Sequence, residues 1–179
     1  MLKKFNISLM YGKEIIRMLA EDTFKTVVAS TPLVSIDLLV RDSQGNILLG
    51  KRVNRPAQRA WFVPGGRVLK DEPIEQAYTR LLQIELGMDK SPSCFKGVYQ
   101  HFYDDNFSDD PFTTHYVVLA YEVIFNGDIS SLPVAQHNDY RWFSEMALLN
   151  HDDVHIHTKW YFQKDKQADN LITTLKLGI

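Results

Sequence analysis

Hydrophobic positions along this chain change period several times, and each change marks a new element. Residues 13 to about 29 place Ile15, Ile16, Leu19, Phe24, Val27 and Val28 on one face at helical spacing. Pro32 ends that helix, and the run from Leu33 to Val40 predicts a strand interrupted by Asp37. Asp42-Ser-Gln-Gly45 is a turn, and Asn46 to Val53 returns as a second strand, which makes a hairpin. A loop through Pro56 leads to the short strand Trp61-Phe-Val and then to Pro64-Gly65-Gly66. Ile74, Ala77, Tyr78, Leu81 and Leu82 then form one helical stripe, closed by Gly87. Two further strands, Gly97 to Tyr103 and His115 to Phe125, flank an acidic loop from Asp104 to Asp110. Tyr140 to Phe143 is a last strand, Ser144 caps a short helix, and residues from about 158 to 175 read as helical. The pattern is α/β with a mixed sheet, and it contains no repeats or low-complexity segments.

Composition narrows the picture. A chain of 179 residues predicts a single domain (1-179) able to bury a core. With 45% hydrophobic and 23% charged residues, the composition is that of a globular protein and argues against disorder. The net charge of −2 gives no global attraction to nucleic acid or to an anionic membrane, so any phosphate recognition must be local. The single cysteine, Cys94, allows no internal disulfide. The apolar run Phe5 to Met10 is short and soon broken by charges, so the expected location is cytoplasmic and residues 1–12 read as an N-terminal extension.

One position stands out on the stripe after the glycine turn. Glu85 lies three and four residues beyond Leu82 and Leu81, which aims a carboxylate along an apolar face. Such a charge is costly unless a cation meets it. Magnesium suits it, because that ion binds one or two carboxylates together with substrate phosphates. The competing outcome is that Glu85 bends out to solvent or pairs with an arginine.

The segment from Gly66 to Met88 resembles the signature of the Nudix hydrolases. Gly66, Glu72, Arg80, Leu82, Glu85, Gly87 and Met88 hold its register, whereas Leu81 and Ile84 stand where the family has glutamates. One branch, the GDP-mannose mannosyl hydrolases, lacks the same acids and cuts at the sugar carbon. Further segments look like that branch: Ser30 to Asp37, Gly50 to Gln58, Trp61 to Arg67, Gln100 to Ser108, Thr113 to Tyr116 and Gln136 to Trp142. The likeness covers roughly residues 22 to 165. It implies a Nudix-type α/β/α sandwich, a magnesium cofactor with manganese as a substitute, a GDP-sugar substrate and a homodimer.

The resemblance also implies roles. Glu85, the Gly65 carbonyl and the Gln136 side chain are the expected metal ligands. Arg52, Arg67 and Tyr116 are expected on the leaving diphosphate. Arg80 is the third substrate cation, unless it orients a carboxylate instead, with Glu72 supporting the loop. His137 is the expected base, since a neutral imidazole can take a proton from water; the alternative is a surface histidine in a polar loop. Asp37 is expected on the substrate side, or as a structural partner of an arginine. His101 is expected near the sugar, or as a packed strand histidine. The pair His155 and His157 reads as surface, and the acidic loop as a flap over substrate or partner subunit. Water attacking the anomeric carbon directly would invert its configuration. Conventional attack at phosphorus, or binding without hydrolysis, are the two other outcomes that the missing glutamates leave open.

Overall fold

A computed structural model describes residues 10–11, 14–15, 19–134 and 137–169. In chain order the elements are β1 (Met10–Tyr11), β2 (Glu14–Ile15), α1 (Glu21–Ser30), β3 (Leu33–Arg41), β4 (Ile47–Arg52), β5 (Trp61–Phe62) and β6 (Gly65–Arg67). They continue with α2 (Ile74–Leu86), β7 (Ser93–Tyr103), β8 (Thr114–Ile124), β9 (His137–Phe143), α3 (Glu145–Asn150) and α4 (Ile156–Trp160).

The main sheet runs β5-β4-β3-β8-β7, with β6 added to β3 and β9 to β4. Its centre is the parallel pair β3–β8, in which Leu33 lies opposite Tyr116 and Asp37 opposite Ala120. The surrounding pairings are antiparallel, so the sheet is mixed as the sequence predicts. Alternation along β3 and β4 feeds two cores, one on each face. Ile36, Leu38, Val40 and Leu48 meet Ala77, Leu81, Leu82 and Leu86 of α2. Leu39, Ile47 and Leu49 meet Leu148 of α3, together with Val154 and Phe162. Helices cover both faces, which is the expected α/β/α sandwich.

Local chemistry sets the boundaries. Gly87 closes α2 with φ of 66°; its N–H donates to the Gln83 carbonyl at 3.0 Å, and Met88 N–H donates to the Leu82 carbonyl at 3.2 Å. The Ser144 hydroxyl accepts from Ala147 N and starts α3, as expected. Gly97, at φ 136°, sits at a register shift in β7, so that strand begins earlier than its apolar alternation suggests.

Two helix boundaries differ from expectation. The first helix begins at Glu21 rather than near residue 13, because Glu14–Ile15 pairs with Met10–Tyr11 as an antiparallel ladder. The helix expected from about 158 to 175 ends at Trp160, and the chain turns from there through residue 169; residues 170–175 lie outside the described residues. Its course is set by the sheet edge: Asp169 N donates to Val98 O at 2.7 Å, and Gln100 N donates to Asp169 Oδ2 at 2.7 Å. A continuing helix could not lay Asp169 along β7.

Candidate active site

Helix α2 presents Glu85 on its core side. The residue is only 2% exposed, and burial pushes its pKa up to about 7 against the opposing charges of Arg52 and Arg80. The solvent-facing alternative is therefore not taken. Leu81 is equally buried in the apolar cluster, so the helix brings a single carboxylate to this point where the family signature would bring more. Gly66 belongs to the same packing, since a β-carbon there would lie 2.7 Å from Leu81 Cδ2.

Arg80 takes the orienting role. Its Nε donates to Glu72 Oε1 at 2.6 Å, and one terminal nitrogen donates to Glu72 Oε2 and to the Arg67 carbonyl, each at 2.8 Å. Glu72 Oε2 also accepts from Leu69 N at 2.8 Å. Burial opposes the charge on Glu72, but these bonds hold its carboxyl below the usual range. The pair clamps the loop leading into α2, as the loop-supporting reading of Glu72 anticipates.

His137 opens β9 directly opposite Arg52 and is 1% exposed, so the surface alternative fails. Its ring lies over Gly50, where any β-carbon would collide with it. The Tyr140 hydroxyl donates to Pro133 O at 2.7 Å and sits 3.4 Å from His137 Nδ1. With its only proton committed, that tyrosine can only accept from Nδ1. The network therefore assigns the proton to Nδ1 and the lone pair to Nε2, which has no hydrogen-bond partner among the described residues. Glu85 Oε2 stands 3.8 Å from Nδ1, the outer limit of an ion pair. Burial, reinforced by Arg52, lowers the imidazole to about 4, so His137 is neutral at pH 7.

A second cluster lies on the α4 side. Asp37 is 7% exposed on β3; burial pushes its carboxyl up to about 6, while a hydrogen bond from Tyr161 and the Arg52 charge oppose the rise. The Tyr161 hydroxyl donates to Asp37 Oδ2 at 2.6 Å and lies 3.1 Å from His101 Nε2. Tyr161 is thus the direct partner of Asp37, and nothing in its sequence context marks it.

His155 and His157 correct the sequence reading. His157 is packed, not surface: it is 4% exposed and stacks on His101 at 4.2 Å, while the partly buried His155 ring lies 4.7 Å from His157. Phe62, Tyr103 and Trp160 complete the cage. Burial lowers His101 to about 2, His157 to about 3 and His155 to about 4, so all three rings are neutral. The acidic loop is also tied down: Arg55 bonds Asp105 and Asp109 at 3.1 Å each, and Lys25 reaches Asp110 at 2.8 Å.

Arg52 joins the two clusters. Burial raises Glu85, Asp37 and Tyr116 and lowers His137 and His155; the Arg52 charge opposes the rise in the first three and reinforces the fall in the histidines, and the Arg52 Nε is buried without a partner among the described residues. Tyr116 feels both Arg52 and Arg67. Arg67 lies over the Phe24 ring at 4.1 Å, and burial lowers its pKa. Gly65 pairs with Asp37 in the β3–β6 ladder. Gln136 lies outside the described residues.

Magnesium fits this donor set only in part. Glu85 supplies one carboxylate, whose charge is opposed by burial. Among the described residues no three His, Cys, Asp or Glu side chains gather into a metal site. A cation held here would need phosphate oxygens from its substrate.

A mixed sheet between helices, with a glycine turn feeding a helix that carries one buried glutamate, is the architecture of a Nudix-type hydrolase. The sequence profile of the NUDIX domain matches residues 31–163, and the chain belongs to that family. It is similar to the low-salt glycan biosynthesis protein Agl8 of Haloferax volcanii, with 38% identity over 123 residues, 69% of this chain and 78% of that protein. It is also similar to an ADP-ribose pyrophosphatase of Methanocaldococcus jannaschii, with 33% identity over 89 residues, 50% of this chain and 51% of that one. Among solved structures, a MutT NUDIX hydrolase from Burkholderia pseudomallei superposes with a TM-score of 0.60 at 25% identity, covering 74% of this chain and 97% of that one. The NUDIX domain of Shewanella oneidensis NrtR, complexed with ADP ribose, gives 0.56 at 18% identity, covering 80% and 96%, and supports the fold alone.

Proposed function

We propose that this Nudix hydrolase cleaves a GDP-sugar, GDP-mannose or GDP-glucose, by attack of water at the anomeric carbon. The observation that carries the reading is the burial of Leu81 in the apolar core beside Glu85. It leaves Glu85 as the one buried carboxylate of the catalytic helix, together with a neutral histidine, a set better suited to assisting a leaving diphosphate than to activating water at phosphorus. The resemblance of the Gly50 to Gln58 and Gln136 to Trp142 segments to the mannosyl hydrolases supports the same choice. So does a relative named for glycan biosynthesis.

In this reading water forms a bond to the anomeric carbon as the bond from that carbon to the β-phosphate oxygen breaks. The electron pair leaves with GDP, and His137 Nε2 takes the proton from water, with inversion at carbon. Arg52, Arg67 and Tyr116 face the charge that grows on the leaving group, where such contacts strengthen in the transition state. Asp37 and His101 serve the sugar side. Glu85, the Gly65 carbonyl and Gln136 would hold magnesium, or manganese in its place, which would neutralise charge on the diphosphate. Arg80 contributes by fixing Glu72 and the loop behind Arg67. A homodimer and a cytoplasmic location belong to the same proposal.

Incubation with GDP-mannose and magnesium in oxygen-18 water tests it. Labelled sugar with unlabelled GDP is the expected result. GMP with a sugar 1-phosphate would instead mean attack at phosphorus, and binding without turnover would mean a sensor.

A further inference from the structure

His101 is 2% exposed and held neutral, so its ring carries one proton and two orientations of that proton compete. The Tyr161 hydroxyl decides between them. Its proton goes to Asp37 Oδ2 at 2.6 Å, which leaves only its lone pairs for His101 Nε2 at 3.1 Å. The imidazole must then donate from Nε2, and a directional chain runs from His101 through Tyr161 to Asp37. The two ends come from different strands, β3 and β7, which are not neighbours in the sheet. Tyr161 enters from beyond α4, with its ring edge-on to Tyr99 at 4.7 Å. The stack of His157 on His101 and the edge contacts from Phe62 and Tyr103 restrain the imidazole plane. They leave the protonation pattern to Tyr161.

We infer that Tyr161 is a positioning residue of this enzyme: through one hydroxyl it sets the proton of His101 on Nε2 and fixes the Asp37 carboxylate in the same array. Its kinetic consequence rests on the proposed GDP-sugar chemistry, in which Asp37 and His101 meet the sugar. Its effect on the imidazole does not.

The test compares wild type with Tyr161→Phe, which keeps the ring and its contact with Tyr99. Long-range proton–nitrogen NMR of the full chain reports the His101 tautomer, with His101→Gln to assign the signals. Wild type should show Nε2–H, and Tyr161→Phe should lose that preference. Turnover of GDP-mannose should fall about ten- to one-hundredfold, the size of a lost hydrogen bond to a charged group, with KM within about twofold. A His101 that is Nδ1–H in wild type overturns the inference, even if the variant fails to fold. So does a variant that folds with unchanged tautomer and unchanged kcat. If wild type does not turn over GDP-sugars, the proposed function falls, and the tautomer measurement still decides the role of Tyr161.

Discussion

Gly50→Ala puts the least possible atom against the proposed base. An added β-carbon would lie 2.5 Å from His137 Cδ2 and 2.9 Å from its Cβ. Restoring ordinary contact requires the ring to move by about 1 Å, and a catalytic group displaced that far loses about a hundredfold in rate. Overpacking costs about 1–3 kcal/mol, and replacing a strand glycine returns about 0.5–1 kcal/mol. The net loss of about 0–2.5 kcal/mol corresponds to a fall of at most about 10 °C in a domain of this size. The assay is release of GDP and free sugar, read beside calorimetry and the Kd for GDP. The expected pattern is a kcat lowered about a hundredfold, GDP binding nearly intact and a slightly lower Tm. A variant with wild-type kcat would refute the placement of His137 over Gly50, or its role.

Replacing His137 by Gln should lower kcat by about 10²–10⁴ while leaving GDP affinity within about twofold, as measured by turnover and calorimetric titration. Glu72→Ala should destabilise the fold by about 1–3 kcal/mol, because it strands the half-buried Arg80 fork and frees Leu69 N, and a denaturant midpoint would show it. Stability should fall on acidification from about pH 6.5 towards 4. His101, His137, His155 and His157 are held neutral in the fold but gain protons when unfolded, so their contribution is complete above 6.5 and is lost below it. Asp37 and Glu85 have raised values and act in the opposite direction between about 4 and 7, but four histidines outweigh two carboxyls. A Tm that is flat or rising over that acid range would contradict the packing of the histidines.

Much of this was legible in the chain. Glu85 could be placed because helical spacing alone puts it on the stripe of Leu81 and Leu82, and burial follows from that geometry. The alternative role of Arg80 was open because Glu72 sits one loop away in sequence. His155 and His157 could not be placed, since a histidine pair in a short polar stretch carries no periodicity. Their burial comes from α4 docking on β7, a contact between distant segments. Tyr161 was invisible for the same reason, because its partner Asp37 is more than a hundred residues away. The first helix started later than its apolar pattern suggested because Glu14–Ile15 pairs with Met10–Tyr11, and after Trp160 the described chain left the helix to bond the edge of β7 at Asp169.

The parallel pairing of β3 with β8 bears on how the site comes into being. Asp37 and Tyr116 both belong to that pair, which joins segments separated by four other strands' worth of chain and the whole of α2. Closing so long a loop is entropically expensive and is rewarded late, so local pieces such as the β3–β4 hairpin and α2 can form well before it. Until the central strands meet, the groups that would hold a nucleotide sugar are far apart. Refolding followed in time should therefore show secondary structure first and ligand binding last, with no partly active intermediate between them.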